Sequence, residues 1–174
     1  MNSRFFLIPV AAVTIAQPAL ATVFMSVEQA QALMFPGATM TADFRTLSNA
    51  QVSAIEKSTD TNVLTKQLRV WKTSTGGWFI VDQVVGKHDY IPFAVALDKT
   101  GAVKDVEILE YREAYGSDVA NAKWMAQFSG KNHDSQLKLT KDIQNISGAT
   151  LSSKHITDGV RRLVATHAVL LASD

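Results

Sequence analysis

Two periods of apolar spacing divide this chain, and each predicts a different element. Ser26 stands before an apolar run with Gln29 three residues on, a capping-box pattern that opens a helix, and Pro36-Gly37 should stop that helix near Phe35. Phe44, Leu47, Val52 and Ile55 fall at roughly helical spacing and predict a second helix from Thr41 to about Lys57. From Gln67 the period changes to two. Leu68, Val70 and Lys72 alternate with Arg69 and Trp71, and Thr75-Gly76-Gly77 reads as a hairpin turn. Trp78 to Val85 is an apolar run interrupted at Asp82-Gln83. Ile91, Phe93, Val95 and Leu97 line one face of a third strand, and Ala94 and Ala96 on its other face let a helix or a ligand sit close. Asp98 to Gly101 makes the next turn, and Val103 to Tyr111 is a fourth strand. Asn121 to Phe128 brings Trp124, Met125 and Phe128 to one side of a short helix that ends at Gly130-Lys131.

The last helix runs from about Ser153 to Leu171, with Ile156, Val160, Leu163, Val164, Ala168 and Leu171 on one stripe and Asp158 and Arg162 as an i,i+4 pair on the wet face. Consecutive strands with short turns make an antiparallel meander. Helices before it and a long one after it give an α+β class, a meander sheet flanked by N-terminal helices and a C-terminal helix.

Composition narrows the function more than the fold. The 174 residues and 47% hydrophobic content suit one core, hence one domain. A net charge of +1 with no basic run argues against a nucleic-acid surface. Without cysteine there is no disulfide, thiolate metal site or c-type haem attachment. His88, His133 and His155 are isolated loop or surface residues by this reading, and His167 lies beside the last apolar stripe, tucked rather than ligating. Arg4, the apolar run Phe5 to Ala16 and the small-x-small triplet Ala19-Leu20-Ala21 have the order of a signal peptide cleaved after Ala21. The expected mature chain, 22–174, is then exported, to the periplasm in a Gram-negative host, and carries no further apolar span for permanent membrane insertion.

The chemistry concentrates at Ser147-Gly148-Ala149-Thr150-Leu151-Ser152-Ser153. Gly148 accepts backbone angles closed to other residues, and Ala149 presents almost no side chain, so a planar molecule can approach the Thr150 oxygen. Ser152 or Ser153 is a candidate cap for the helix that follows, whose unpaired first amides suit a phosphate.

These residues resemble the Asp-x-x-Ser/Thr-Gly-Ala-Thr flavinylation motif of the FMN-binding domain family, which includes the C subunit of the sodium-pumping NADH:quinone reductase and the G subunit of the Rnf complex. The aspartate position holds Gln144, and Asp142 stands two residues earlier. Phe35-Pro36-Gly37-Ala38 resembles the close of the family's first helix, and Trp124, Gln127, Phe128, Gly130 and Lys131 resemble its aromatic-x-x-Gln-Phe-x-Gly-Lys pattern. Glu113-Ala114-Tyr115-Gly116 is similar to its Glu-Thr-Pro-Gly loop, agreeing at the glutamate and the glycine.

The resemblance implies an FMN cofactor joined by its phosphate to Thr150, with Ser147, Gly148, Ala149, Leu151 and Ser152 shaping the seat. It implies that Glu113 accepts a hydrogen bond from flavin or orders its pocket, and that Tyr115 packs on the ring. Lys131 either meets the phosphate or caps the short helix electrostatically. Trp124 and Phe128 read first as core anchors. The implied partners are a membrane-bound redox protein and, during maturation, a flavin transferase using FAD and a divalent metal. Such a protein is an electron carrier rather than a self-contained oxidoreductase. Two other classes remain open: a module that binds FMN or another phosphorylated ligand noncovalently, and an assembly protein of an exported complex without flavin.

Overall fold

The computed structural model describes residues 21–172. The expected signal peptide through Leu20, and with it most of the expected cleavage site, lies outside the described residues. Among the described residues no helix is long and apolar enough to cross a membrane.

The first helix, α1 (Val27–Met34), follows a two-residue strand, β1 (Thr22–Val23). Ser26 and Gln29 form the reciprocal capping box, and the helix closes at Phe35, as the sequence predicts. The second predicted helix is shorter. Residues 40–46 form two strands, β2 (Met40–Ala42) and β3 (Arg45–Thr46), and only Asn49–Thr59 is helical (α2). A second capping box, Ser48 with Gln51, sets the true start, and the extended residues before it hydrogen-bond antiparallel to the next strand.

The meander is β4 (Gln67–Thr73), β5 (Trp78–Val85), β6 (Tyr90–Leu97) and β7 (Val103–Ile108). With β2 on the outer side, the antiparallel order is β2-β4-β5-β6-β7, and β3 also pairs with β4. The expected fourth strand breaks at Leu109. Its N–H still reaches the Pro92 carbonyl of β6 at 3.0 Å, but proline has no N–H to return, and the Leu109 carbonyl takes the Phe24 N–H at 3.0 Å instead; Glu110–Tyr111 continues as β8, paired with β1.

Both faces of the sheet are covered. Ile80, Ile91, Phe93, Val95, Leu97 and Val106 pack against Ile156, Val160, Leu163 and Val164 of the long helix α4 (Thr150–Thr166). On the reverse face Phe79, Val81, Ala94 and Ala96 meet Ala30, Met34 and Phe35, so the two alanines admit a helix, α1. Between β8 and α4 come a helical turn (Ser117–Ala120), α3 (Ala122–Met125) and a second turn (Ala126–Phe128), which bury Trp124, Met125 and Phe128. These are the anchors that the spacing indicates, and the class is α+β.

Two features of α4 differ from its helical wheel. A π-helical turn, His167–Leu171, shifts the phase of the stripe, so Ala168 is exposed, while Leu171 is buried as the spacing predicts. Arg162 is not on the wet face. It reaches 80 residues back to Asp82, with Nη2 at 2.7 Å from the carboxylate, and donates to the Gln83 and Asn62 carbonyls. Asp158 pairs instead with Lys154 and Arg161. The Asp82-Gln83 interruption in the apolar strand is the receptor for that arginine.

The Arg162 and Asp82 side chains are 7% and 13% exposed, so removing the carboxylate leaves a buried, uncompensated cation. Asp82→Ala should lower unfolding free energy by about 3–5 kcal/mol. Asp158→Ala, which breaks a bridge to the exposed Lys154 and a part-buried one to Arg161, should cost less, about 1 kcal/mol. Urea unfolding of both variants measures the contrast.

Candidate functional site: the cleft at the start of the long helix

The helix α4 begins earlier than its serines suggest. Ala149 is its N-cap residue, and the Ser153 N–H already donates to the Ala149 carbonyl at 2.9 Å. Ser152 and Ser153 therefore lie inside the first turn and cap nothing. Ser153 Oγ donates back to the Ala149 carbonyl, and Ser152 Oγ turns into the protein. No side chain caps this end, so the Thr150, Leu151 and Ser152 amides stand as unpaired donors. Gly148, at φ +84°, makes the bend that brings Ala149 into the core and leaves Thr150 exposed at the first helical position. Thr150 Oγ1 accepts a hydrogen bond from Asn145 Nδ2 at 2.9 Å. Ser147 is exposed beside it.

Facing that turn is the loop after β8. Tyr111 is buried, and its hydroxyl donates to the Tyr115 carbonyl at 2.6 Å, so the Ser152 hydroxyl, 2.8 Å away, is the donor in their bond. Burial raises the Tyr111 pKa; the bond from Ser152 offsets part of this, while the nearby Glu113 and Asp118 charges add to it. Gly116 passes over this junction at φ +93°, and a Cβ there would fall 2.6 Å from the Tyr111 oxygen and 2.9 Å from Ser152 Oγ. Glycine alone fits.

Glu113 closes the third side. Its carboxylate accepts the His88 and Asp89 N–H groups at 2.6 and 3.0 Å, and its other oxygen meets His88 Nδ1 at 3.1 Å. Its side chain is only 6% exposed, whereas the His88 ring is 72% exposed. Burial alone would raise the Glu113 pKa; the donors from His88, Asp89 and Lys87 outweigh it and hold the carboxyl below its ordinary value. Glu113 thus orders the wall, tying the β5–β6 loop to the loop after β8. His88 is the solvated loop residue that the sequence suggests, with one nitrogen committed to that tie.

The result is a cleft of about 380 Å³, within the usual size for a small-molecule site. Lys87, His88 and Glu113 form one wall, Ala114 to Gly116 the second, and Gly148, Ala149, Leu151 and Ser152 the third. Tyr115, at 86% exposure, stands at its mouth. Thr150 lies on the ridge beside the cleft and faces a neighbouring groove lined with Lys138, Lys154 and Arg161, with Asp60 and Asp158 among its other lining residues. An anionic group on the threonine would therefore meet helix amides and basic side chains.

Not every expected residue joins this constellation. Lys131 pairs with Asp142 at 3.2 Å and lines neither the cleft nor the groove. Asp142 accepts the Leu137 and Lys138 N–H groups, which supports the loop before the motif. Trp124 and Phe128 stack edge to face in the core, 5.2 Å apart. His167 is tucked against Gly101 and Trp78. Among the described residues no group of three or more side chains is arranged to hold a metal ion. The sequence reading missed Tyr111 and Asn145. A tyrosine closing a polar strand end gives no local signal, and the asparagine stood next to the motif position that drew the attention.

Glu113 has a stability signature. A folded-state pKa below the unfolded value near 4.5 means that its contribution is present above that value and is lost as the pH falls through the folded-state pKa. Wild type should exceed Glu113→Gln by about 1–2 kcal/mol near neutral pH. The difference should shrink as the pH drops below 4.5, which urea unfolding across the acid range will show.

Residues 86–165 match the family model described as the FMN-binding domain. The match begins at the loop that Glu113 ties down and runs through Gly116, Trp124 and Thr150 into α4, so it takes in every wall of the cleft. No curated protein matches the chain. Residues 86–165 therefore belong to the FMN-binding domain family, and FMN is the cofactor.

Proposed function

We propose that this protein is an exported electron carrier whose FMN is attached through a phosphoester on Thr150. One observation carries the reading: the Thr150 hydroxyl is exposed at the first position of a helix whose initial amides have no cap. A phosphate bonded to that oxygen sits where the helix's partial positive charge is concentrated, an arrangement worth about 0.3–1 kcal/mol at an exposed site. Lys138, Lys154 and Arg161 add positive charge nearby. The cleft beside Thr150 supplies surface for the rest of the molecule, with Ala149 and Gly116 removing bulk, and Leu151 and Tyr115 contributing apolar area at the mouth.

FMN supplies one- and two-electron exchange, and the protein sets its position and surroundings. The Glu113 carboxylate lines the cleft already ionised and hydrogen-bonded to its own wall, so its charge opposes electron gain nearby. A covalent tether keeps the cofactor from diffusing away once the chain is outside the cytoplasm. A membrane-bound redox protein is the proposed partner, and a flavin transferase drawing on FAD and a divalent metal is the proposed modifying enzyme.

Noncovalent FMN binding is the second reading, favoured by Gln144 in the place of the motif aspartate. The two are separated by producing the full chain with a flavin transferase and exporting it. Mass spectrometry should find an FMN phosphoester on the tryptic peptide 142–154 of wild type and none on Thr150→Val. That variant keeps size and branching and should lose only the hydrogen bond from Asn145, about 0.5–1.5 kcal/mol. The intact mass of the same sample should correspond to a chain starting at Thr22. An unmodified wild-type peptide from yellow protein would move the assignment to noncovalent binding, and colourless protein would favour an assembly role.

A further inference from the structure

The segment ahead of Thr150 is held from outside. The Gln144 N–H donates to Gln127 Oε1 at 2.8 Å, and the Gln144 carbonyl accepts from Trp124 Nε1 at 2.7 Å. Both partners come from the short segment after β8, where Trp124 is fixed in the core against Phe128. Two directed bonds on one residue leave its peptide little freedom. The Gln144 side chain is exposed and takes no part in them. The next residue, Asn145, carries its amide to Thr150 Oγ1.

We infer that Asn145 positions the Thr150 hydroxyl for attack on a phosphoanhydride, with Trp124 and Gln127 acting through the Gln144 backbone. This rests on the reading of Thr150 as the flavin acceptor. A threonine near a helix start has several staggered side-chain orientations, and some turn its oxygen toward backbone groups. The amide of Asn145 selects one of them. An N–H donor occupies one lone pair on Oγ1 and takes no proton, so the second lone pair and the hydroxyl hydrogen remain available to an incoming reactant. Residue 144 therefore contributes its peptide, and residue 145 contributes the polar side chain.

The reaction it serves balances without any change of oxidation state. Thr150 Oγ1 bonds to the FMN phosphorus of FAD, and the bond from that phosphorus to the bridging oxygen breaks. The bridging oxygen leaves with AMP, and the threonine proton passes to solvent or to the departing phosphate. Holding the nucleophile in one orientation lowers the entropic part of this barrier.

Asn145→Ala and Asn145→Leu test the assignment, the second keeping bulk at the position while removing the donor. Flavinylation of the mature full chain is followed by in-gel fluorescence with purified transferase, FAD and magnesium, over a range of acceptor concentrations. Both variants should lower kcat by about three- to tenfold, the scale of one hydrogen bond, with the KM for the acceptor unchanged. Three-bond couplings in the unmodified chain should report one Thr150 side-chain rotamer in wild type and averaging in both variants, with the thermal midpoint lowered no further than in Thr150→Val, which loses the same bond. Wild-type rates in the variants, a loss confined to KM, or a single rotamer persisting without Asn145 would overturn the inference and leave the acceptor reading intact. Failure of wild type itself to be modified would overturn both.

Discussion

The hydroxyl of Tyr111 joins the two walls of the cleft, and the site's geometry depends on that junction. It donates to the Tyr115 carbonyl and accepts from Ser152, linking the loop after β8 to the first turn of α4 in a place closed to water. Buried polar groups of this kind are costly to leave unpaired, so the loop and the helix hold each other in register. The demand extends to Gly116, whose missing side chain is the space that the two oxygens occupy. Glu113 extends the arrangement to the β5–β6 loop by accepting two backbone N–H groups. Three separate stretches of chain thus converge through one phenol, one serine and one carboxylate.

The long helix serves both the core and the site. Ile156, Val160, Leu163 and Val164 bury it on the central strands, and Arg162 locks it to Asp82 of β5. Those contacts fix where its N-terminus points. The cap that would normally satisfy the first amides is absent, while the serines available for the task bond inward. A helix end left open beside a cleft, with Lys138, Lys154 and Arg161 close by, is suited to a phosphate-bearing molecule. FMN, the cofactor of the family that residues 86–165 match, carries such a phosphate, and the core explains how the chain keeps the open end in place.

Local patterns were legible where local forces decide. The Ser26–Gln29 capping box, the alternation from Leu68 and the alanines of β6 all led to the observed elements. The Ser48–Gln51 box was equally readable, but the helical spacing of Phe44 and Leu47 obscured it, because strand pairing of residues 40–46 to β4 is a nonlocal choice. Arg162 was misplaced for the same reason: its partner lies 80 residues away. Within the site, the Ser147 to Thr150 motif and Glu113 marked two walls of the cleft. Tyr111 and Asn145 act across space through single hydrogen bonds, and no spacing rule announces them.

The central claim is that FMN occupies the cleft between the Glu113–Gly116 loop and the start of α4. Backbone amide chemical shifts, compared between the FMN-bearing and FMN-free full chain, test it most directly. The account predicts the largest changes at Thr150, Leu151 and Ser152 and at residues 113–116, with the α1 face of the sheet undisturbed. Changes centred on that face, or spread evenly over the sheet while the Thr150 amides stay put, would contradict it.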